Sequence, residues 1–150
     1  MRMRILAVVL AVGAITLTTG AISASAAPAK RPCGQPVMTS GVGSLGTGWT
    51  LKSQYDDNGP GLVAGEEFQI NTEGAGQHWT VVLSDNGKAF FTNNDDVSTA
   101  TGINETHPNP TVHHINNVMS AHAVRHDDGE VIDGSVTLLP APPACAPGTP

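Results

Sequence analysis

The stretch QHWTVVLSDNGKAFFTNN, from Gln77 to Asn94, predicts a β-hairpin. Trp79, Val81 and Leu83 alternate with side chains of the opposite face, which is the period-2 pattern of a strand with one buried face. Asn86-Gly87 follows this run. A type I′ turn requires positive φ at both central residues, and Asn and Gly tolerate that conformation best.

A two-residue turn at Asn86-Gly87 fixes how the two strands pair. It places Asp85 opposite Lys88 and Leu83 opposite Phe90, so that Phe90 faces the core. Since a lone hairpin is barely stable in water, other strands must cover this face. We expect the core to be anchored by a set of large apolar side chains: Trp49, Phe68, Ile70, Trp79, Val81, Leu83, Phe90 and Val136.

Turn residues divide the rest of the chain into short strand-like runs. Beyond the hairpin, strands are expected from residue 49 and within 62–72, 111–119, 120–126 and 130–139, with an edge strand at 97–101, a turn at 93–96 and an irregular loop at 102–110. No window of helical length has helical periodicity. About seven or eight short strands with regular turns predict an all-β, immunoglobulin-like antiparallel β-sandwich with disordered Pro- and Gly-rich ends.

Glu66 interrupts the apolar face of its predicted strand. Leu62, Ala64, Phe68 and Ile70 share one face of that strand, and Glu66 falls on the same face. We therefore expect the strand to begin only near residue 67 or to contain a β-bulge at this point.

Residues 1–26 have the pattern of a secretory signal peptide. Arg2 and Arg4 form a positive start, an apolar run follows, and Ala24-Ser25-Ala26 fits the small-residue cleavage pattern. The alternative is an uncleaved anchor, although the apolar run is short and interrupted for a membrane span. We expect a secreted protein, extracellular or associated with the cell wall, with no membrane span in the mature chain.

Composition divides the mature chain into three parts. Residues 27–47 contain Pro and Gly without periodicity and predict a flexible N-terminal arm, while residues 48–139 contain the sandwich. Residues 140–150 are rich in proline and predict an extended tail.

The charge of the mature chain disfavours nucleic acid and anionic lipid as partners. Five basic residues remain after the signal peptide against thirteen acidic ones, so the net charge is −8. Five scattered cations cannot neutralise a run of phosphates, and an acidic surface is not attracted to anionic lipid. Solubility alone explains this acidity.

Two cysteines, Cys33 and Cys145, lie near the ends of the mature chain. Export permits a disulfide, and two cysteines allow only one intramolecular pairing. The alternatives are an intermolecular bridge or two free thiols. A bond that closes a loop of about a hundred residues would stabilise the fold by roughly 4–5 kcal/mol in the chain-entropy model.

The six histidines are candidate metal ligands. His113 and His114 are adjacent and would point to opposite faces of a strand, and His122 and His126 are too far apart along a strand to share an ion. A cross-strand site of His114 with His122 remains an alternative, but zinc or copper needs three or four converging ligands. We expect no transition-metal site.

Acidic turns and nucleophiles give no stronger indication of chemistry. Asp56-Asp57-Asn58, Asp95-Asp96 and Asp127-Asp128 could supply oxygens to calcium only if two of these turns met at one end of the sandwich, and turn chemistry alone explains them. The chain has no G-x-S-x-G elbow, P-loop or paired carboxylates with a glycosidase pattern. We expect no metal, no cofactor and no catalytic residue.

The motifs of the sandwich carry a family resemblance. They are Gly48-Trp49-Thr50-Leu51-Lys52 with Asp56-Asp57, Gly76 to Leu83 with Asn86-Gly87, and Ala123 with Gly129-Glu130-Val131 and Gly134 to Leu138. Over about ninety residues the chain resembles the small secreted immunoglobulin-like, fibronectin-III-like domains of unknown function from actinobacteria. The resemblance implies a β-sandwich and transfers no catalytic residue.

The expected function is a secreted, non-catalytic binding or structural module that acts as a monomer on an unknown protein or glycan ligand. Val82, Phe91 and an outward-turned Tyr55 are the expected contact patch. The alternatives are a carrier that holds a small apolar ligand in a cleft, and an inhibitor of an extracellular hydrolase that inserts the Gly102–Pro110 loop.

Overall fold

The computed structural model describes residues 31–57, 62–109 and 111–145, which form two four-stranded antiparallel sheets. The strands are β1 (Arg31–Val42), β2 (Gly48–Asp57), β3 (Leu62–Asn71), β4 (His78–Asp85), β5 (Lys88–Val97), β6 (Ile103–Asn109), β7 (Asn117–Arg125) and β8 (Val131–Leu138), followed by a 3-10 helix (Pro143–Cys145). The predicted signal peptide, residues 1–26, lies outside the described residues.

The two sheets pack face to face. Sheet A has the strand order β1-β2-β3-β6 and sheet B the order β5-β4-β7-β8. Seven of the eight expected core anchors are buried between them, and Phe90 is half-buried. The prediction of an all-β antiparallel sandwich is therefore confirmed.

The β4–β5 hairpin has the predicted turn and a different register. Asn86 (φ 49°) and Gly87 (φ 81°) both have positive φ, and Asp85 pairs with Lys88 as expected. The pairing of Leu83 with Phe90 is wrong: Leu83 pairs with Phe91, because the register shifts between Leu83 and Ser84. A β-bulge adds one residue to β5 and moves the side chains after it to the other face, until a second irregularity between Trp79 and Val81 shifts the register again.

Strand β1 occupies residues 31–42, where the sequence predicts part of a flexible arm at 27–47. That prediction is wrong for these residues. β1 pairs with β2 along its length, with an irregularity between Cys33 and Val37. Only one face of this edge strand is covered, and the irregularity breaks its alternation, so its sequence shows no regular apolar period.

Three further predictions about strands are corrected. Residues 93–96 are not a turn but continue β5, and residues 103–109 are not an irregular loop but form β6. Pro108 is tolerated because β6 is an edge strand, where a missing N–H breaks no ladder. Residues 111–116 form a loop, and β7 then runs without a break to Arg125.

Two glycines of different sheets make room for the Trp49 indole. A Cβ built on Gly41 of β1 would lie 2.8 Å from Cζ2 of Trp49, and one built on Gly134 of β8 would lie 2.5 Å from its Cζ3. Such contacts are far below van der Waals distance. Trp49 can therefore be buried at the edge where β1 approaches β8 only because both positions lack a side chain.

Candidate functional site

The interior of the sandwich holds a fully buried carboxylate. β3 runs from Leu62 to Asn71 without a bulge, and Glu66 points inward with no exposed surface. The expected late start or bulge at Glu66 is therefore wrong. Among the described residues neither carboxylate oxygen of Glu66 has a hydrogen-bond partner. Burial, and then the charge of Asp85, raise the pKa of Glu66 to about 8.

Two more polar groups face the same region. Ser53 of β2 is the ladder partner of Glu66, is fully buried, and its Oγ has no partner among the described residues. Asp85, at the end of β4, accepts a hydrogen bond at Oδ2 from Nδ2 of Asn109 at 3.1 Å, while its buried Oδ1 has none. Buried oxygen atoms on β2, β3 and β4 are thus left without hydrogen-bond partners among the described residues.

A second pair of carboxyl groups lies where β5 meets β6. Burial, and then the hydrogen bond and charge of Glu105, raise the pKa of Asp96 to about 6, against a lowering hydrogen bond from the Val97 backbone. Glu105 also contacts Nε2 of His107 at 2.6 Å, and His107 stacks on Phe91 with ring centroids 3.6 Å apart. Glu105 therefore links Asp96 of β5 to the stacked rings of Phe91 and His107.

Glu130 is buried at the other end of the sandwich and fully bonded. It accepts hydrogen bonds from the backbone N–H groups of Leu45 (3.2 Å) and Thr47 (2.8 Å) and from the Thr47 hydroxyl, and it pairs with Arg125 at 2.9 Å. Burial raises the pKa of Glu130, but these bonds outweigh it and hold the pKa below its usual range. Arg125 is itself clamped by both carboxylate oxygens of Asp128. This network joins the β1–β2 loop to the β7–β8 turn.

The outer face of sheet B carries histidine–carboxylate pairs. His78 contacts Asp95 and His122 contacts Asp133, each at 2.7 Å, and both pairs are exposed. The alternative pairing of His114 with His122 is not formed, because His114 lies in the β6–β7 loop and His122 pairs with Asp133 on β8. In the described ranges no three His, Cys, Asp or Glu side chains are arranged to hold a metal ion.

The acidic segments do not combine into a set of metal ligands in the part of the chain that the structure describes. Asp95-Asp96 lies in strand β5, and Asp128 of the β7–β8 turn is engaged by Arg125. Asp56-Asp57 ends β2 at the opposite end of the sandwich, and Asn58 lies outside the described residues.

Four of the large apolar side chains that are exposed among the described residues lie at one end of the sandwich, while Val42, Leu45 and Val97 lie at the opposite end. Val112 and Ile115 lie in the β6–β7 loop, Val118 begins β7, and Leu139 follows β8; between 42% and 63% of each residue's surface is exposed. These four residues are called the apolar end below. The expected patch of Val82, Phe91 and Tyr55 does not form, because Tyr55 is buried and the other two are half-buried.

Buried Asn117 holds the apolar end in place. Its Nδ2 faces the carbonyl oxygens of Val112 (3.0 Å) and Ile115 (3.3 Å) and the Tyr55 hydroxyl (3.2 Å). The N–H of Ala141 donates to the carbonyl of His113 at 2.8 Å, which ties the loop to the segment after β8. The exposed apolar side chains therefore sit on backbone fixed from inside.

An open groove lies beside the apolar end. It has a volume of about 280 Å³ and is lined mainly by apolar side chains, including Val37, Leu139, Pro140 and Pro142 next to the Cys33–Cys145 disulfide. The disulfide confirms the predicted intramolecular pairing. A polar groove of about 320 Å³ lies at the opposite end beside Arg125.

The sequence pattern indicates the buried carboxylate more clearly than it indicates the apolar end. Glu66 broke an apolar face and was visible as an anomaly, although its burial was not foreseen. Val112 and Ile115 were assigned to a strand, which hid their place in a loop. The sequence signal for this loop is Pro110, because proline commonly marks a turn or the end of a strand.

Comparisons with models of protein families, with curated proteins and with solved structures find no significant match to the chain. The resemblance to actinobacterial immunoglobulin-like domains therefore stays a prediction. No helix in the part of the chain that the structure describes is long and apolar enough to cross a membrane.

Proposed function

We propose that the chain is a secreted, non-catalytic, monomeric binding module that binds a protein partner through the apolar end. Secretion is supported by the signal-like residues 1–26 and by the disulfide, which is typical of oxidising compartments. The proposal is carried by the four exposed apolar side chains beside a mainly apolar groove on an acidic molecule, since exposed apolar patches mark interaction sites.

The chemistry of the apolar end favours a protein over a glycan or a carried small molecule. All six aromatic residues are buried or half-buried, so no exposed ring is available to stack on a sugar. The exposed side chains are apolar and uncharged, and the buried core of a protein–protein interface is likewise more apolar than the rest of a protein surface. The groove beside them is open, whereas a carrier needs a cavity that encloses most of its ligand.

The inhibitor alternative loses the observation that motivated it. Residues 103–109 are paired with β3 as strand β6 and cannot insert as a free loop into an active site.

Charge substitution at the apolar end tests the proposal. The mature protein is immobilised and used to capture proteins from the extracellular and envelope fractions of the source organism, and the captured partner is purified for affinity measurement. Because interface centres contain residues whose loss costs more than about 1 kcal/mol, the double variant Ile115→Asp/Leu139→Asp should weaken binding roughly tenfold or more.

The matched control changes equally exposed apolar residues at the opposite end. Val42→Asp/Leu45→Asp should leave the affinity unchanged, since these residues are 72% and 62% exposed but lie far from the apolar end. Equal losses in both double variants, or none in either, would contradict the proposal.

A further inference from the structure

Three inward-facing residues of the sandwich leave four oxygen atoms without hydrogen-bond partners in the described residues. They are both carboxylate oxygens of Glu66, Oδ1 of Asp85 and Oγ of Ser53. Glu66 and Ser53 are opposite one another in the β2–β3 ladder. Asp85 is hydrogen-bonded to Asn109, which lies on β6 two residues beyond the ladder partner of Glu66, and its charge acts on Glu66. Buried polar atoms normally have partners, so this group of acceptors requires an explanation.

Among the residues whose side chains the structure describes, no cationic side chain compensates Glu66 and Asp85. Lys52 pairs with Glu67 on the outer face of sheet A, and Arg125 is held by Asp128 and Glu130 at the other end. His107 is the ladder neighbour of Glu66 on β6, but its ring contacts Glu105. Lys88 lies exposed beside the β4–β5 turn and makes no ion pair.

All the unpartnered atoms that could bind a metal ion are oxygens: three belong to carboxylates and one to a hydroxyl. Hard cations such as Ca²⁺ are bound by carboxylate, hydroxyl and amide oxygens together with water, whereas soft ligands would select other metals. Asn109 adds to this environment, because its amide already orients Asp85 from the other side. A cation would replace the proton on Glu66, balance the charges of both carboxylates and occupy the unused acceptors at once.

We propose that Glu66, Asp85 and Ser53 bind one hard divalent cation, with Ca²⁺ as the probe, between the two sheets. Two carboxylates and a hydroxyl come from three different strands of both sheets, so the bound ion would tie sheet A to sheet B. The proposal concerns stability of the sandwich and is independent of the binding surface at the apolar end.

Thermal melting of the chelator-treated mature protein tests the site. Millimolar Ca²⁺ should raise the melting temperature of wild type by several degrees, because a ligand that binds only the folded state stabilises it. Glu66→Gln and Asp85→Asn should lose this shift, and equilibrium dialysis should find one Ca²⁺ per chain in wild type and none in either variant.

Glu67→Gln is the matched control, because Glu67 is the next residue of β3 and faces the outside of the sheet. It should keep the full Ca²⁺ shift. Two results would overturn the proposal. The first is that wild type binds none of Ca²⁺, Mg²⁺ and Mn²⁺, which would mean that only a proton is shared by the buried carboxyl groups. The second is that Glu66→Gln and Asp85→Asn keep the rise in melting temperature, which would mean that the ion binds elsewhere.

Discussion

Glu66 and Glu130 are both fully buried, but their surroundings favour opposite charge states. Glu130 accepts hydrogen bonds from the β1–β2 loop and pairs with Arg125, so its charged form is stabilised. Glu66 has no partner among the described residues, and its raised pKa of about 8 keeps a proton on it near neutral pH. The contributions of Glu66 and Glu130 to the free energy of unfolding therefore change with pH in opposite directions.

Replacing Glu130 by Gln removes the charge that Arg125 and the loop N–H groups are arranged to meet. We expect a loss of roughly 3–5 kcal/mol in the free energy of unfolding, as for a broken buried ion pair. Because the folded-state pKa of Glu130 is depressed, the stabilisation is present above its ordinary value of 4.5 and is lost as pH falls through the folded-state value.

Urea denaturation at neutral and acidic pH measures this effect. Glu67→Gln is the control and should cost no more than about 1 kcal/mol, since its pair with Lys52 is half-exposed. A Glu130→Gln variant as stable as Glu67→Gln would contradict the role of the network.

Glu66 should make the metal-free protein less stable at higher pH. Its pKa rises from 4.5 in the unfolded chain to about 8 in the fold, so its contribution is complete below pH 4.5 and is lost as pH rises toward 8. The slope for one proton is at most about 1.4 kcal/mol per pH unit. When a chelator is present, the free energy of unfolding of Glu66→Gln should increase relative to that of wild type between about pH 5 and about pH 8. If the difference between the two proteins stays constant over this range, Glu66 does not titrate there.

At the scale of the elements, the Trp49 indole is packed between β1 and β8. Gly134→Ala would place a Cβ 2.5 Å from the ring, and overpacking of this kind costs roughly 1–3 kcal/mol. Gly74→Ala is the control, because a Cβ there meets nothing within 4 Å, and it should change stability by no more than about 0.5 kcal/mol. Equal unfolding midpoints for Gly134→Ala and Gly74→Ala would show that the space beside the Trp49 indole can accommodate an added Cβ.

The turn of the central hairpin and strand β8 were predictable, whereas β1, β6 and the second half of β5 were not. Asn86-Gly87 specified its turn because few residues tolerate positive φ, and Trp79 to Leu83 specified a buried face by alternation. The bulge at Phe90 left no local signal. β1, β5 and β6 are edge strands with one covered face, so polar side chains, Gly and Pro are tolerated in them and hide their period.

The candidate sites depend on packing that no local pattern encodes. Glu66 was recognisable as a misplaced charge, but only the assembled sheets bring Asp85 beside it. The apolar end likewise joins the loop at 111–116 to the end of β8, segments that are distant in sequence.

For the molecule as a whole, the Cys33–Cys145 bond fixes edge strand β1 to the segment after β8 across a separation of 112 residues. Reduction should lower the free energy of unfolding by roughly 2–5 kcal/mol, mainly through the unfolded chain. After reduction, the rate of backbone amide hydrogen exchange should increase in β1 before it increases in the other strands. The double variant Cys33→Ser/Cys145→Ser should melt like the reduced protein and not respond to reductant; a wild type that melts identically with and without reductant would contradict this role.

Photo-crosslinking tests most directly whether the apolar end is the binding surface. A photoreactive amino acid is placed at Val112 in one variant and at Val42, at the opposite end, in another, and each mature protein is irradiated with extracellular and envelope fractions of the source organism. We expect a discrete adduct with one protein from position 112 and none from position 42. An adduct from position 42 alone, or no adduct from position 112, would contradict the proposed function.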